Sequence, residues 1–311
     1  MPGERRCGMD HALYEYSALP QRPRLQWPAA SPLAFWVILY LEQWELDPPA
    51  DSYRPPGIVG VRESFFPDYR TFSHREYGNR VGFFRVVDAF DELGIRPTVA
   101  LNAALCHECP RVLRACLDRG WEIAVHGTHA TRMITSRMTA SEEREHIGSA
   151  IKEIHKATGH FPTGWIAQEF GESERTPAIV AELGLAYLAD WPNDEQPYPL
   201  LGERGLISLP QQPQWDDVQL LWLRQVSSGR YPSIIRAACD TLMDDGAAQG
   251  RLLSIGIHPW LSGQAHRIAH MKAALSDVIA RPGVWHASGE AIAQYYASWL
   301  RNGAISEGKT G

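Results

Sequence analysis

The chain has 311 residues, 44% hydrophobic and 21% charged, the balance of an ordinary globular protein able to bury a large core. A formal net charge of -6 argues against nucleic acid or an anionic membrane as the main partner. No apolar stretch reaches the roughly 18 residues of a spanning helix. Met1 to Cys7 are charged without an apolar segment behind them, so no secretory signal is visible and a cytoplasmic location is expected.

In chain order, residues 1–34 read as an irregular arm rich in Pro, Arg and Trp. Phe35 to Leu41 is a fully apolar strand, followed at once by Glu42-Gln-Trp-Glu45. Pro48, Pro49, Pro55, Pro56, Gly57 and Gly60 then mark a long loop reaching about Phe72, of a length that suggests function. Val81 to Leu93 has helical spacing and ends at Gly94. From there strands and helices alternate. The strands are Pro97–Asn102, Trp121–Val125, Gly164–Ala167, Leu185–Asp190, Leu206–Leu209, Leu252–Ile257 and Gly283–Ala287. The helices are Pro110–Arg119, Thr139–Thr158, Thr176–Leu183, Pro232–Asp244, Ile268–Ile279 and Gly289–Leu300. Thr139-Ala-Ser-Glu142 matches a capping box, and Gly159 lies just past that helix. This βα repetition predicts one domain over 35–301 built on a parallel, barrel-like sheet, with a mobile tail over 302–311.

Five cysteines, an odd number, read as reduced thiols. Cys106-His-Glu-Cys109 has CxxC spacing, but no second pair completes a tetrahedral metal site.

Two apolar strands end on histidine: Trp121-Glu-Ile-Ala-Val-His126-Gly127 and Leu252-Leu-Ser-Ile-Gly-Ile-His258-Pro259. α/β folds place their chemistry at the carboxyl ends of parallel strands, so two imidazoles there point to general acid/base catalysis. Glu42, after the first strand, is the candidate base, with Glu45 nearby.

The order of Glu42, His126-Gly127, Gly164-Trp165, Asp190-Trp-Pro-Asn-Asp194 and Ser254-Ile-Gly-Ile-His258-Pro259 resembles the NodB-homology polysaccharide deacetylase superfamily, and within it the allantoinase and cyclic-imide-hydrolase-like branch. The likeness spans about Phe35 to Trp299 and implies an irregular (β/α)7 barrel, related to the TIM barrel, that hydrolyses non-peptide C–N bonds. A plain eight-fold barrel is the structural alternative.

The departures from the family pattern are informative. Metal-dependent members carry two aspartates after the first strand, where this chain has Tyr40-Leu-Glu42-Gln-Trp-Glu45. Their histidines lie four apart, whereas the residue four past His126 is Ala130 and His129 comes one position early. Phe161-Pro-Thr-Gly-Trp165 replaces their Arg-Pro-Pro-Tyr motif.

The expectation is therefore a metal-free hydrolase of a small cyclic amide, imide or ureide. Glu42, His126 and His258 are catalytic, with Glu42 the base, His258 the acid, and His126 binding the reacting carbonyl. Glu45, Trp165, Asp190, Asp194 and Asp217 are the candidates for substrate binding, within a flat pocket lined by tryptophans. The alternative is a deacetylase of polysaccharides or amino sugars that binds one divalent metal, zinc by choice, through Glu42, His126 and His129. A catalytically silent ligand-binding barrel is the third possibility. The expected partner is a small-molecule substrate; a homo-oligomer is left open.

Overall fold

The computed structural model describes residues 9–49, 52, 67–202 and 205–307. Most of the Pro- and Gly-marked loop after the first strand lies outside the described residues.

Nine strands form one curled sheet in the order β6-β7-β5-β4-β3-β2-β1-β8, with β9 also paired to β1. They are β1 Leu33–Leu41, β2 Thr98–Leu101, β3 Glu122–Val125, β4 Gly164–Trp165, β5 Tyr187–Leu188, β6 Tyr198–Pro199, β7 Ile207–Ser208, β8 Arg251–Ile257 and β9 Val284–His286. All pair in parallel except β6 with β7, an antiparallel hairpin that the βα pattern misses. Among the described residues β7 and β8 do not pair. Their gap is crossed by the Gln212 N–H donating to Ser254 Oγ at 3.2 Å and Trp215 Nε1 donating to the Ser254 carbonyl at 2.7 Å. This is the irregular (β/α) barrel expected from the sequence.

The helices are α1 Tyr69–Tyr77, α2 Phe83–Leu93, α3 Leu105–Glu108, α4 Pro110–Asp118, α5 Ala140–Thr158, α6 Thr176–Glu182, α7 Tyr231–Gly246, α8 Pro259–Ser262, α9 Ile268–Ile279 and α10 Gly289–Glu307. The Thr139 capping box forms with both reciprocal bonds. Helix α1 begins inside the span read as loop, because its nine residues hold one Phe and two Tyr among polar side chains, too few for a helical stripe. Helix α10 continues to Glu307, so the predicted mobile tail is helical over most of its length. Its first six residues extend the Tyr296–Trp299 end without a helix breaker other than Gly303.

β1 is buried along its whole length, as a central parallel strand covered on both faces should be. Its odd residues, Leu33 to Leu41, join the core between sheet and helices. Its even residues, Ala34, Trp36, Ile38 and Tyr40, join a second core inside the barrel. Ala100, Ala124 and Ile166 share that interior, and the two alanines leave room for Trp36, Tyr40 and Tyr187. The two-residue strand period then assigns the positions just past the strand ends. Glu42 after Tyr40, His126 after Ala124, and His258 two beyond Gly256 all face the interior at its carboxyl end.

Candidate active site

Glu42, His126 and His258 line one cavity together with Tyr40, Ala167, Glu169, Phe170, Asp216, Val218 and Gln219. At ≈ 20 Å³ it offers the space of about one water molecule. Tyr40 stands between the two imidazoles, its ring stacked on His258 at 4.3 Å and edge-on to His126 at 5.1 Å. Asn102 ties the strand ends behind them: its Oδ1 accepts from the Gln43 N–H at 2.8 Å and its amide donates to the His126 carbonyl.

The three candidate groups differ in charge. Burial opposes ionisation of Glu42, but the cationic His258 and Arg75 outweigh it and hold the carboxyl below its usual value, so Glu42 is a carboxylate. Burial likewise opposes charge on His258, but Asp217 and then Asp216 and Glu42 prevail and lift it to about 9. Asp217 Oδ1 accepts from His258 Nδ1 at 2.7 Å, while its Oδ2 accepts from the His258 N–H at 2.8 Å and Ser262 Oγ at 2.6 Å. His258 is therefore an imidazolium whose Nε2–H is left for the cavity. Burial depresses His126 to about 4, so it is neutral. Its Nδ1 lies 2.6 Å from the Ile166 carbonyl, which can only accept, so the proton sits on Nδ1 and Nε2 is bare. His126 cannot donate to a substrate carbonyl, which corrects the role read for it from sequence. It can accept a proton or coordinate a metal.

The other expected residues lie elsewhere. Glu45 turns away from the cavity to pair with Arg132 at 2.7 Å and to accept from Thr131 Oγ1 at 2.5 Å. Trp165 is fully buried in the core between sheet and helices, because its odd place on a two-residue strand points outward. Asp194 pairs with Arg22 of the N-terminal arm at 2.6 Å. Asp190 lies beneath the site, accepting from the Ala167 N–H at 2.6 Å and sharing a hydrogen bond with Glu172. Asp217 bonds to His258 and does not line the cavity. Among the described residues, Trp44 and Trp260 hold the Arg75 guanidinium, at 4.7 and 3.5 Å from their ring centres, rather than lining the cavity. The thiols of Cys106 and Cys109 are pushed up by burial, Cys106 to about 11, as inert packed side chains.

The three residues read from sequence as the alternative metal ligands do not converge. His129 is outside the cavity, half-buried and facing Glu45 and Arg132. That leaves only Glu42 and His126 of the three alternative ligands together. Asp216, Asp217 and His258 bring donor atoms within 4.8 Å of one another, but the Asp217 oxygens and His258 Nδ1 are spent on mutual hydrogen bonds.

Arg75, Tyr40 and Glu169 were not singled out from sequence, whereas Asp216 stands beside Asp217 after the strand ending at Leu209. Only Tyr40 carried a usable signal, since it shares strand parity with Glu42. A larger groove of ≈ 880 Å³ opens at the opposite, amino end of the strands around Trp121, Phe161 and His286, away from these groups.

A family model described as polysaccharide deacetylase matches residues 75–188. Over that stretch the chain is similar to the polysaccharide deacetylases. A Schizosaccharomyces pombe protein named as a candidate polysaccharide deacetylase is 26% identical over 242 residues, covering 72% of this chain and 75% of that one. A solved structure from Pseudomonas aeruginosa PAO1, also named as a candidate polysaccharide deacetylase, superposes with a TM-score of 0.79 at 25% identity, covering 89% of this chain and 94% of that one. The structure of the PuuE allantoinase superposes with a TM-score of 0.81 at 24% identity, covering 92% and 98%, a likeness of fold. No helix among the described residues is long and apolar enough to cross a membrane.

Proposed function

We propose that this protein hydrolyses a C–N bond in a small cyclic amide, imide or ureide by acid/base catalysis without a metal. The observation that carries the reading is the shared cavity of an ionised Glu42, a neutral His126 and a protonated His258, with the third metal donor, His129, outside it. Water held by Glu42 and the bare His126 Nε2 attacks the carbonyl carbon, and its proton passes to Glu42. The C–N bond breaks as the His258 Nε2–H proton moves to the leaving nitrogen. Glu42 ends protonated and His258 neutral, and exchange with solvent resets both. Imides and ureides suit this machinery because their carbonyls are more electrophilic than those of N-acetyl amides.

The names of the relatives favour a second reading, a metal-dependent deacetylase of sugars. A hydrolysis screen over imides, ureides, lactams and acetylated amino sugars, run with and without chelator, separates the two. Chelator-resistant turnover of ring substrates is expected. Chelator-sensitive turnover of acetylated sugars alone would replace the first reading with the second.

A further inference from the structure

Two arginines stand beside the cavity, and among the described residues neither has an ion-pair partner. Arg75 is 5% exposed, its guanidinium 3.5 Å from the centre of the Trp260 ring and 4.7 Å from that of Trp44. Indole contact satisfies the faces of a guanidinium but not the five N–H donors along its edge. Among the described residues no hydrogen bond engages those donors, although a buried charge is normally paired. Arg267, just before α9, is half-buried, and its Nε is buried without a hydrogen-bond partner among the described residues. His74 ties the two together: its ring lies 5.2 Å from Trp260 and 5.3 Å from Trp222, and both arginine charges act on it.

This cluster is one indole away from each catalytic group. The Trp44 Nε1 that donates to Glu42 Oε2 at 3.4 Å belongs to the ring that covers Arg75. The Trp260 ring, 6.3 Å from the His258 imidazole, carries Arg75 as well. Glu42, Glu169 and Asp217 are the carboxyls that face Arg75, and none reaches it as an ion pair. Asp217 is engaged by His258 and Ser262, and Glu42 is kept for the attacking water. The placement is also fixed by backbone contact. A Cβ on Gly78 would lie 2.8 Å from the Trp260 nitrogen, and one on Gly82 2.0 Å from the Pro259 carbonyl oxygen. Helix α1 is therefore pressed onto the turn that follows His258, and Arg75 keeps its position relative to that imidazole.

We propose that Arg75, assisted by Arg267, binds a carboxylate carried by the substrate. This rests on the amide-hydrolase reading above and names its substrate class, a cyclic imide or ureide with a carboxylate arm. The planar fork of a guanidinium matches the two oxygens of a carboxylate, and the indoles that hold it in place reduce the order lost on binding. A carboxylate brings one negative charge, whereas a dianionic phosphate would set a second one against Glu42. Anchored by its acid, the ring lies with its carbonyl toward Glu42 and its leaving nitrogen toward His258.

A paired panel tests this: imide, hydantoin and dihydrouracil rings, each with a carboxylate arm and as the matching carboxamide. The parent is expected to prefer at least one acid over its carboxamide by about 10–10²-fold in kcat/KM, the worth of hydrogen bonds between charged groups. Arg75 also supports the Glu42 charge, so the ratio of acid to carboxamide is read and any loss common to both cancels. Arg75→Lys, which keeps the charge but not the fork, is expected to cut that ratio by about tenfold. Arg267→Gln, at a half-buried position, should cut it by less. Equal rates for acid and carboxamide in the parent, or a ratio unchanged in both variants, overturn the proposal and leave the hydrolase reading standing. Titration calorimetry with the same pairs needs no turnover. Acid-selective binding that weakens in Arg75→Lys supports carboxylate recognition, and if no ring is hydrolysed it is the hydrolase reading alone that fails. Binding of neither partner, or of both equally, overturns the proposal.

Discussion

One strand, β3, carries two contrasting ends of the barrel interior. Glu122 begins it and His126 lies just past it, on the same face and four residues apart, or about 13 Å at strand rise. At the amino end, the Glu122 carboxyl is saturated: it accepts from Thr98 Oγ1 at 2.7 Å, Tyr187 OH at 2.6 Å and the Glu290 N–H at 3.1 Å in the first turn of α10. At the carboxyl end, Glu42 accepts among the described residues one long side-chain bond, from Trp44 Nε1 at 3.4 Å, and faces cations and a cavity. Both carboxyls are buried, yet burial keeps Glu122 raised whereas Glu42 is lowered. Hydroxyl and peptide dipoles satisfy Glu122 without overcoming its desolvation. The full charges of His258 and Arg75 do overcome it at Glu42. The amino end uses its carboxyl to join a helix to the sheet, and the carboxyl end keeps one free to accept a proton.

The largest expected effect breaks the carboxyl end alone. Glu42→Gln should lower kcat by about 10²–10⁴-fold, as loss of a general base does, while thermal unfolding stays close to the parent's. Retained turnover would remove the functional difference between the ends. Asp217→Asn comes next. In the parent, kcat/KM should rise through an acidic limb below pH 4.5, where Glu42 ionises, and fall near pH 9, where His258 loses its proton. Without the Asp217 charge the alkaline limb should move down toward the imidazole value of 6.5. A limb that stays in place would assign it to another group. The same pair stabilises the fold, because the His258 value is raised on folding. That contribution is complete below pH 6.5 and disappears as pH rises through about 9, a loss that denaturant melts across this window should show.

Glu122→Ala should do the reverse of Glu42→Gln. It leaves Tyr187, Thr98 and the α10 amides unpaired, costing about 1–3 kcal/mol of stability with kcat/KM unchanged. A loss of activity at native stability would overturn the division between the ends. The smallest effect is expected for Glu45→Ala. It removes a partly exposed ion pair with Arg132, worth about 0–1 kcal/mol, and should leave KM unaltered.

Much of this was legible residue by residue. The apolar runs ending on His126 and His258, and the glutamate after β1, mark the carboxyl ends of strands, and strand parity turns all three inward. The same parity places Trp165 outward. Asp194 and Glu45 could not be sorted this way: both sit in loops, where the nearest cation decides their direction, and Arg22 and Arg132 come from distant or separate turns. Arg75 escaped notice because it stands in a short polar helix without a stripe. Glu169 escaped notice because nothing local announces two successive left-handed residues that are not glycine.

By itself, then, the amino-acid order determined the alternation of strands and helices, the barrel, and which side chains end interior-facing strand positions. These follow from two- and 3.6-residue periods that neighbouring residues impose on one another. The tertiary structure alone decided which groups share a cavity, that Asp217 charges His258, that Ile166 fixes the His126 tautomer, and that His129 stands apart. Those outcomes depend on strand order and loop path, and on electrostatic contacts between residues tens to hundreds of positions apart.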